Sequence, residues 1–202
     1  MRPLIFILAL SIASCVSGAD EQNSSVPLTV AEHLETIKEA VSDEAKVPSK
    51  GYRTVSLYGN KLELSIPDYF TEMSPEMKHS KYPRANSPDV VYTDEDGAVN
   101  VAFNYTGTVV ANNNISELQR ELLKQLQATN PIDLTTRIET INGSEFAVFE
   151  FMSQAIDTRV YNLMFLTELD GRMLLGTFNC TEVLKGEWQP RAKEILSSLR
   201  KG

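Results

Sequence analysis

Four short turns, each set between two strand-like stretches, most strongly restrict the fold of this 202-residue chain. The turns read Gly59-Asn60, Asp94-Glu95-Asp96-Gly97, Asn142-Gly143 and Asp170-Gly171. Asn, Asp and Gly adopt the positive φ angles that tight hairpins require, and β-branched and aromatic residues favour strands. The flanking stretches are 53–58 with 62–66, 90–92 with 99–105, 134–140 with 146–151, and 160–166 with 173–178. Hairpins that follow one another in this way predict an antiparallel sheet of about six to eight strands.

Apolar residues at helical spacing predict helices that cover this sheet. One begins after Asn114, whose side chain can cap it, and ends before Pro131; its stripe is Ile115, Leu118, Leu122 and Leu126. A second runs from about Glu187 to Lys201 with Pro190 in its first turn; its stripe is Trp188, Ala192, Ile195, Leu196 and Leu199. A third, with an acidic outer face, is expected over 30–45. The fold class is therefore α+β, an antiparallel β-sheet built from hairpins and covered by two to three α-helices.

The first residues have the order of a secretory signal. Arg2 precedes an apolar run, Leu4 to Leu10, that is too short to span a bilayer, and small residues follow it. Ile12-Ala13-Ser14-Cys15 resembles a bacterial lipobox. This resemblance implies cleavage before Cys15 and lipidation of its thiol, so that the chain faces the periplasm from the bacterial cell envelope. The alternative is ordinary cleavage after Ala19 and a secreted, soluble protein.

The expected organisation has three parts. Residues 1–14 form the lipoprotein signal peptide, and residues 15–50 hold the lipidated Cys15, a tether and the acidic amphipathic helix. Residues 51–202 form the folded domain.

Composition excludes several classes of function. With 27 acidic and 19 basic side chains, the formal net charge is -8, which argues against nucleic-acid binding. The two His residues and the lack of Gly-x-Ser-x-Gly and His-Glu-x-x-His motifs argue against the common hydrolase sites. If Cys15 carries lipid, Cys180 has no disulfide partner, and its strand-like surroundings predict a buried, inert thiol. No cofactor and no catalytic residue are predicted.

The segment 67–88 is the most unusual part of the chain, because it holds a basic cluster in an acidic protein. The candidate residues for binding an anionic partner are Lys78, His79, Lys81 and Arg84. A weaker alternative is a soft-metal site of Met73, Met77 and His79, since thioethers suit monovalent copper. The structural alternative is a crossing loop whose apolar side chains pack on the core.

Two further patterns carry a family resemblance. The first hairpin ends in Leu64-Ser65-Ile66-Pro67-Asp68-Tyr69-Phe70, and Phe178-Asn179-Cys180-Thr181 leads into a helix that ends Ile195-Leu196-Ser197-Ser198-Leu199. Over 52–201 the chain resembles the PsbP-like superfamily, including the DcrB-like bacterial lipoproteins; the Trp usual after the first proline is replaced by Tyr69-Phe70. The resemblance implies a sheet between helices and a non-enzymatic accessory or binding role, and it supplies no catalytic residues.

The sequence thus predicts a non-enzymatic, lipid-anchored accessory protein that binds another envelope protein. One alternative is a small-ligand or metal carrier that uses the segment 67–88. A second alternative is a secreted hydrolase with dispersed carboxylates. The oligomeric state is left open.

Overall fold

A computed structural model describes residues 51–82, 87–110, 114–155 and 158–202. The ten strands are β1 Tyr52–Leu57, β2 Leu62–Pro67, β3 Thr71–Glu72, β4 Val90–Thr93, β5 Val99–Val109, β6 Ile132–Ile141, β7 Ser144–Gln154, β8 Arg159–Leu169, β9 Arg172–Thr181 and β10 Arg200–Lys201. The α-helices are α1 Pro75–Lys81, α2 Ile115–Gln127 and α3 Lys185–Ser197, the last preceded by a short 3-10 helix, Glu182–Leu184. The predicted signal peptide, tether and acidic helix lie outside the described residues.

The strands form two antiparallel sheets. The main sheet has seven strands in the order β3-β4-β5-β9-β8-β7-β6, and the small sheet has three in the order β1-β2-β10. The α+β class and all four hairpins are confirmed. The sequence did not indicate the second sheet, in which the first hairpin is joined by β10, paired with the free edge of β2.

The hairpin turns have the backbone angles that their residues suggested. Asn142 and Gly143 have φ angles of 47° and 81°, and Asp170 and Gly171 have 48° and 76°. Two consecutive positive φ angles are the mark of a type I′ turn, whose twist matches that of the strands. These two-residue turns fix the register of β6 on β7 and of β8 on β9.

Both faces of the main sheet are covered by apolar side chains. Alternate residues of β7 separate cleanly, with Phe146 and Val148 in one cluster and Ala147 and Phe149 in another. The first cluster takes in the small sheet and α3, which contributes the buried Trp188. The second cluster takes in α2, and a third, smaller cluster joins α1 to β4 and β5 on the same face as α2. The predicted sheet between helices is therefore present.

Helix α3 differs from its predicted extent. It begins at Lys185 and ends at Ser197, so Pro190 lies inside the helix and not in its first turn. Arg200 and Lys201, which were predicted to be helical, instead form β10 against Glu63 and Leu62. The free edge of β2 offers these last residues backbone hydrogen bonds that a helix end lacks. The predicted apolar stripe is buried throughout, from Trp188 to Leu199.

Gly176 is required by the packing of the core. On β9 it pairs with Phe165 of β8 and Phe103 of β5. The Phe165 ring lies over the glycine and meets Phe103 and Phe146 edge-on, at centroid distances of 6.1 Å. A Cβ atom at Gly176 would overlap that ring. The absence of a side chain at this position therefore makes room for a central aromatic of the core.

We expect Gly176→Ala to lower the free energy of unfolding by about 3 kcal/mol, because overpacking displaces Phe165. The control is Gly186→Ala in α3, where an added Cβ meets nothing within 4 Å. That change is expected to raise stability by about 0.5–1 kcal/mol, since alanine favours helices. Urea unfolding of both variants measures the two effects. A Gly176→Ala protein as stable as the parent would contradict this account.

Candidate partner-binding surface

The described part of the segment 67–88, residues 67–82 and 87–88, contains regular structure and is not only a crossing loop. It contains the two-residue strand β3 and the helix α1. Helix α1 begins because Ser74 accepts a hydrogen bond from the Met77 amide at 3.2 Å and Pro75 occupies the first turn. Its buried side is a small apolar cluster with Val91 and Ala102. Residues Pro75–Lys81 of the segment thus form a short helix that packs against β4 and β5 of the main sheet.

Two of the predicted binding residues attach α1 to the sheet. The Lys78 ammonium donates to the backbone carbonyl of Asp89, just before β4, at 2.7 Å. The Lys81 side chain is buried, and its ammonium donates to the carbonyl of Gly97 in the turn between β4 and β5. The two lysines therefore bond at opposite ends of β4. Part of the basic cluster has a structural use that the sequence did not show.

The other two predicted binding residues have different positions. His79 is exposed on the outer side of α1, next to the exposed Ser80 and near the exposed Glu76. Arg84 lies outside the described residues. The structure thus brings Lys78, His79 and Lys81 together on one short helix, with only His79 fully at the surface.

The alternative soft-metal residues belong mainly to the apolar packing. Met73 is buried, and Met77 packs partly buried against the cluster of Met73, Val91 and Ala102. Across the ranges 51–82, 87–110, 114–155 and 158–202, no group of three or more His, Cys, Asp and Glu side chains is arranged to hold a metal ion. In this arrangement the two thioethers serve as core atoms beneath α1.

Cys180 is a buried free thiol on β9, as predicted. Burial raises the pKa of this thiol to about 12. Because the thiolate is the reactive form of cysteine, Cys180 is protonated and inert at neutral pH.

The turn between β4 and β5 is organised by Asp94. Burial raises the pKa of the Asp94 carboxyl, while hydrogen bonds from the backbone oppose this effect. One of these comes from the Val99 amide at 3.1 Å, and the Thr93 hydroxyl lies alongside at 3.4 Å. The carboxylate therefore stabilises the turn that presents the Gly97 carbonyl to Lys81.

A second buried charged group is Glu150, which the sequence analysis did not single out. It lies on β7, largely buried, between positions that face α3. Its two oxygens accept three hydrogen bonds, from Arg137 Nη1 at 2.8 Å, Tyr161 Oη at 3.0 Å and Gln189 Nε2 at 3.2 Å. Lys193 Nζ forms an ion pair with the carboxylate at 3.5 Å. The sequence could have indicated Glu150, because it is a lone glutamate on the core-facing side of an apolar strand. A buried carboxylate requires hydrogen-bonding or charged partners.

These contacts decide the charge state of Glu150. Burial alone would raise the pKa of its carboxyl, but the hydrogen bonds from Arg137, Gln189 and Tyr161 outweigh burial and lower the pKa. For Tyr161, burial and then the neighbouring Glu150 raise the pKa of the hydroxyl, which remains a donor. The cluster thus joins β6, β7 and β8 to α3 through one ionised carboxylate.

None of the helices among the described residues is both long and apolar enough to cross a membrane. The described domain is an antiparallel α+β structure in which a sheet lies between helices, the class that the sequence predicted.

Comparison with solved structures supports a PsbP-like fold. The cyanobacterial PsbP of Synechocystis is similar, with a TM-score of 0.54 at 14% identity, covering 78% of this chain and 96% of that one. A protein of Bacteroides thetaiotaomicron has a TM-score of 0.51 at 13% identity, covering 74% of this chain and 48% of that one. LpqN of Mycobacterium tuberculosis, described as involved in cell envelope biogenesis, has a TM-score of 0.48 at 11% identity, covering 79% and 95%.

No protein-family model matches the sequence, and no curated protein matches it significantly. The likeness to PsbP at this low identity therefore concerns the fold. The PsbP-like resemblance is confirmed at that level, and the DcrB-like subtype stays a prediction.

We expect Glu150→Gln to lower the free energy of unfolding at neutral pH by about 1–3 kcal/mol, because Arg137 and Lys193 lose a buried anionic partner. The pKa of Glu150 is lowered by folding, so its contribution is fully present above its ordinary pKa of 4.5. This contribution is lost as the pH falls through the lower pKa of the folded state. Urea unfolding between about pH 7 and pH 2 measures both effects.

The difference in stability between parent and Glu150→Gln should therefore shrink on acidification. Glu63→Gln is a suitable control, since Glu63 is a partly exposed strand residue of the small sheet. A constant difference across the pH range would show that the charge of Glu150 contributes nothing.

Proposed function

We propose that this chain is a non-enzymatic, lipid-anchored accessory protein of the bacterial cell envelope, of DcrB-like type and facing the periplasm. Its membrane attachment is the lipid on Cys15, and its partner is another envelope protein with an acidic surface. The proposed contact is the outer side of α1 with the residues that follow it. His79, Arg84 and the partly buried Lys78 are its proposed binding residues, whereas the buried Lys81 holds the helix in place.

The observation that carries this proposal is the way α1 is held. The helix is fixed at its start by the Ser74 cap and along its length by Lys78 and Lys81, which bond to backbone carbonyls. A surface that is already rigid loses little conformational entropy when a partner binds. Helix α1 therefore suits recognition better than a loop of the same composition would.

The proposal of a non-enzymatic role is supported by how the ionisable groups are used. The carboxylate of Glu150 is saturated by donors, that of Asp94 caps its own turn, and the thiol of Cys180 is buried. A general acid or nucleophile must reach substrate with its reacting atom. The positions of Met73 and Met77 in the apolar cluster favour partner binding over a soft-metal carrier.

The lipid anchor is tested by Cys15→Ser. We expect the parent chain to fractionate with membranes and to carry a mass increase of acyl chains on its N-terminal peptide. The Cys15→Ser chain should lose both properties, since the thiol is the site of acylation. Mass spectrometry of the N-terminal peptide is the measurement. A parent chain that begins at Asp20 without lipid would establish the secreted alternative.

The partner surface is tested by placing negative charge at His79, the exposed residue of α1, and at Arg84, which follows the helix in the sequence. In native envelopes, crosslinking followed by mass spectrometry should capture a partner of the parent chain. The double variant His79→Glu with Arg84→Glu should reduce that crosslink by about tenfold, corresponding to ~1.4 kcal/mol. A partner with an acidic contact surface is expected, because the same reversal would strengthen a basic one.

The matched control is Arg120→Glu, which reverses the charge of an exposed residue on α2. It should leave the crosslink unchanged. Equal capture by the parent and the double variant would exclude the α1 surface, whereas a loss in both variants would indicate a general effect of net charge.

A further inference from the structure

The two edges of the main sheet are very different. Strand β3 closes one edge with two residues, whereas β6 at the other edge has ten. Among the described residues, β6 pairs only with β7, so its outer side faces no other strand. A long edge strand presents a row of unpaired N–H and C=O groups that another strand can use.

The turn between β6 and β7 determines which backbone N–H and C=O groups of β6 point away from the sheet. Ile141 and Ser144 flank the two-residue turn and pair with each other, and such flanking residues exchange both of their hydrogen bonds. Hydrogen bonding to β7 then recurs at every second residue, at Glu139 and Arg137. The backbone groups of Thr140, Ile138 and Thr136 therefore point away from the sheet.

The side chains on this edge are self-complementary. The sequence Thr136-Arg137-Ile138-Glu139-Thr140 is nearly symmetric about Ile138, with one positive and one negative charge at equal distances from it. If a second copy pairs antiparallel about Ile138, Arg137 lies opposite Glu139 of the second copy, and each Ile138 lies opposite the other. Parallel in-register pairing would instead oppose like charges, which is destabilising.

The geometry of the antiparallel arrangement is consistent at each position. The pair about Ile138 uses the outward backbone groups and is hydrogen-bonded. Arg137 and Glu139 of the second copy then form a non-hydrogen-bonded pair, in which side chains approach most closely. Within one copy, Arg137 is already oriented by Glu139 at 2.9 Å and Glu150 at 2.8 Å. Ile138, 39% exposed, would be covered by its counterpart.

The start of β6 restricts this pairing to its second half. Asp133 has a φ angle of 55°, and the register on β7 shifts between Ile132 and Thr135. Bulges of this kind prevent an edge from pairing along its full length. From Leu134 to Ile141 the strand contains neither Pro nor Lys, the residues that commonly protect edges.

We propose that the chain forms a symmetric dimer through antiparallel pairing of β6 with β6 of a second copy, joining the two main sheets into one. The dimer axis passes beside Ile138. The interface is isologous, as a two-fold dimer requires. It is independent of α1, so a partner bound there and the second copy occupy different elements.

The test is sedimentation equilibrium of the purified full chain in a Cys15→Ser background, over a concentration series. The parent chain should dimerise, and Ile138→Lys should raise the dimer dissociation constant by at least about tenfold, because two ammonium groups meet at the axis. Val183→Lys is the matched control, since Val183 is 87% exposed and lies outside β6. It should leave the constant unchanged.

A disulfide crosslink locates the axis. Across a hydrogen-bonded antiparallel pair the Cα atoms are about 5.5 Å apart, within the range that a disulfide spans. Ile138→Cys should therefore form a dimer on mild oxidation, and Val183→Cys should not. A chain that stays monomeric at about 1 mM, or a dimer unaffected by Ile138→Lys and not linked through position 138, would overturn the proposal.

Discussion

The main sheet is apolar on both faces, and the rest of the fold follows from the need to cover each of them. On one face the small sheet and α3 bury the aromatic cluster around Phe165 and Trp188. On the other face α2 covers β7 and β8, and α1 covers β4 and β5. A sheet with one wet face would need only one such layer. The position of α1 is therefore set by burial, and its outer side stays exposed.

The elements that the sequence predicted are those fixed by local rules. The turn at Asn142-Gly143 and the stripe of α2 each depend on residues within one turn or one helix. Strand β10 joins the small sheet through contacts across most of the domain, as in the pairing of Arg200 with Glu63. Such pairing leaves no periodic pattern, because two-residue strands are too short to have one.

The candidate surface shows the same limit at the level of side chains. Lys78, His79 and Lys81 read as one basic cluster in the sequence, but the helix directs Lys81 into the sheet and His79 to the surface. The bonded carbonyls, of Asp89 and Gly97, are 11 and 16 residues away from their lysines. The sequence identified the segment 67–88 as unusually basic. Only the geometry of α1 shows which of its residues attach the helix to the sheet and which are exposed. Glu150 illustrates the reverse case: composition did not single it out, and its three hydrogen-bond donors and one ion pair become visible only in the structure.

The two edges of the main sheet differ in how they limit pairing with other strands. At the β3 edge, two residues offer too little backbone for another strand to bind. At the β6 edge, the pair of Arg137 and Glu139 places opposite charges on either side of an exposed isoleucine. These charges discourage strands of other sequence, since a foreign strand must match both signs in order. They do not discourage antiparallel pairing with β6 of a second copy. An edge protected in this way against general association is, by the same charges, selective for its own copy.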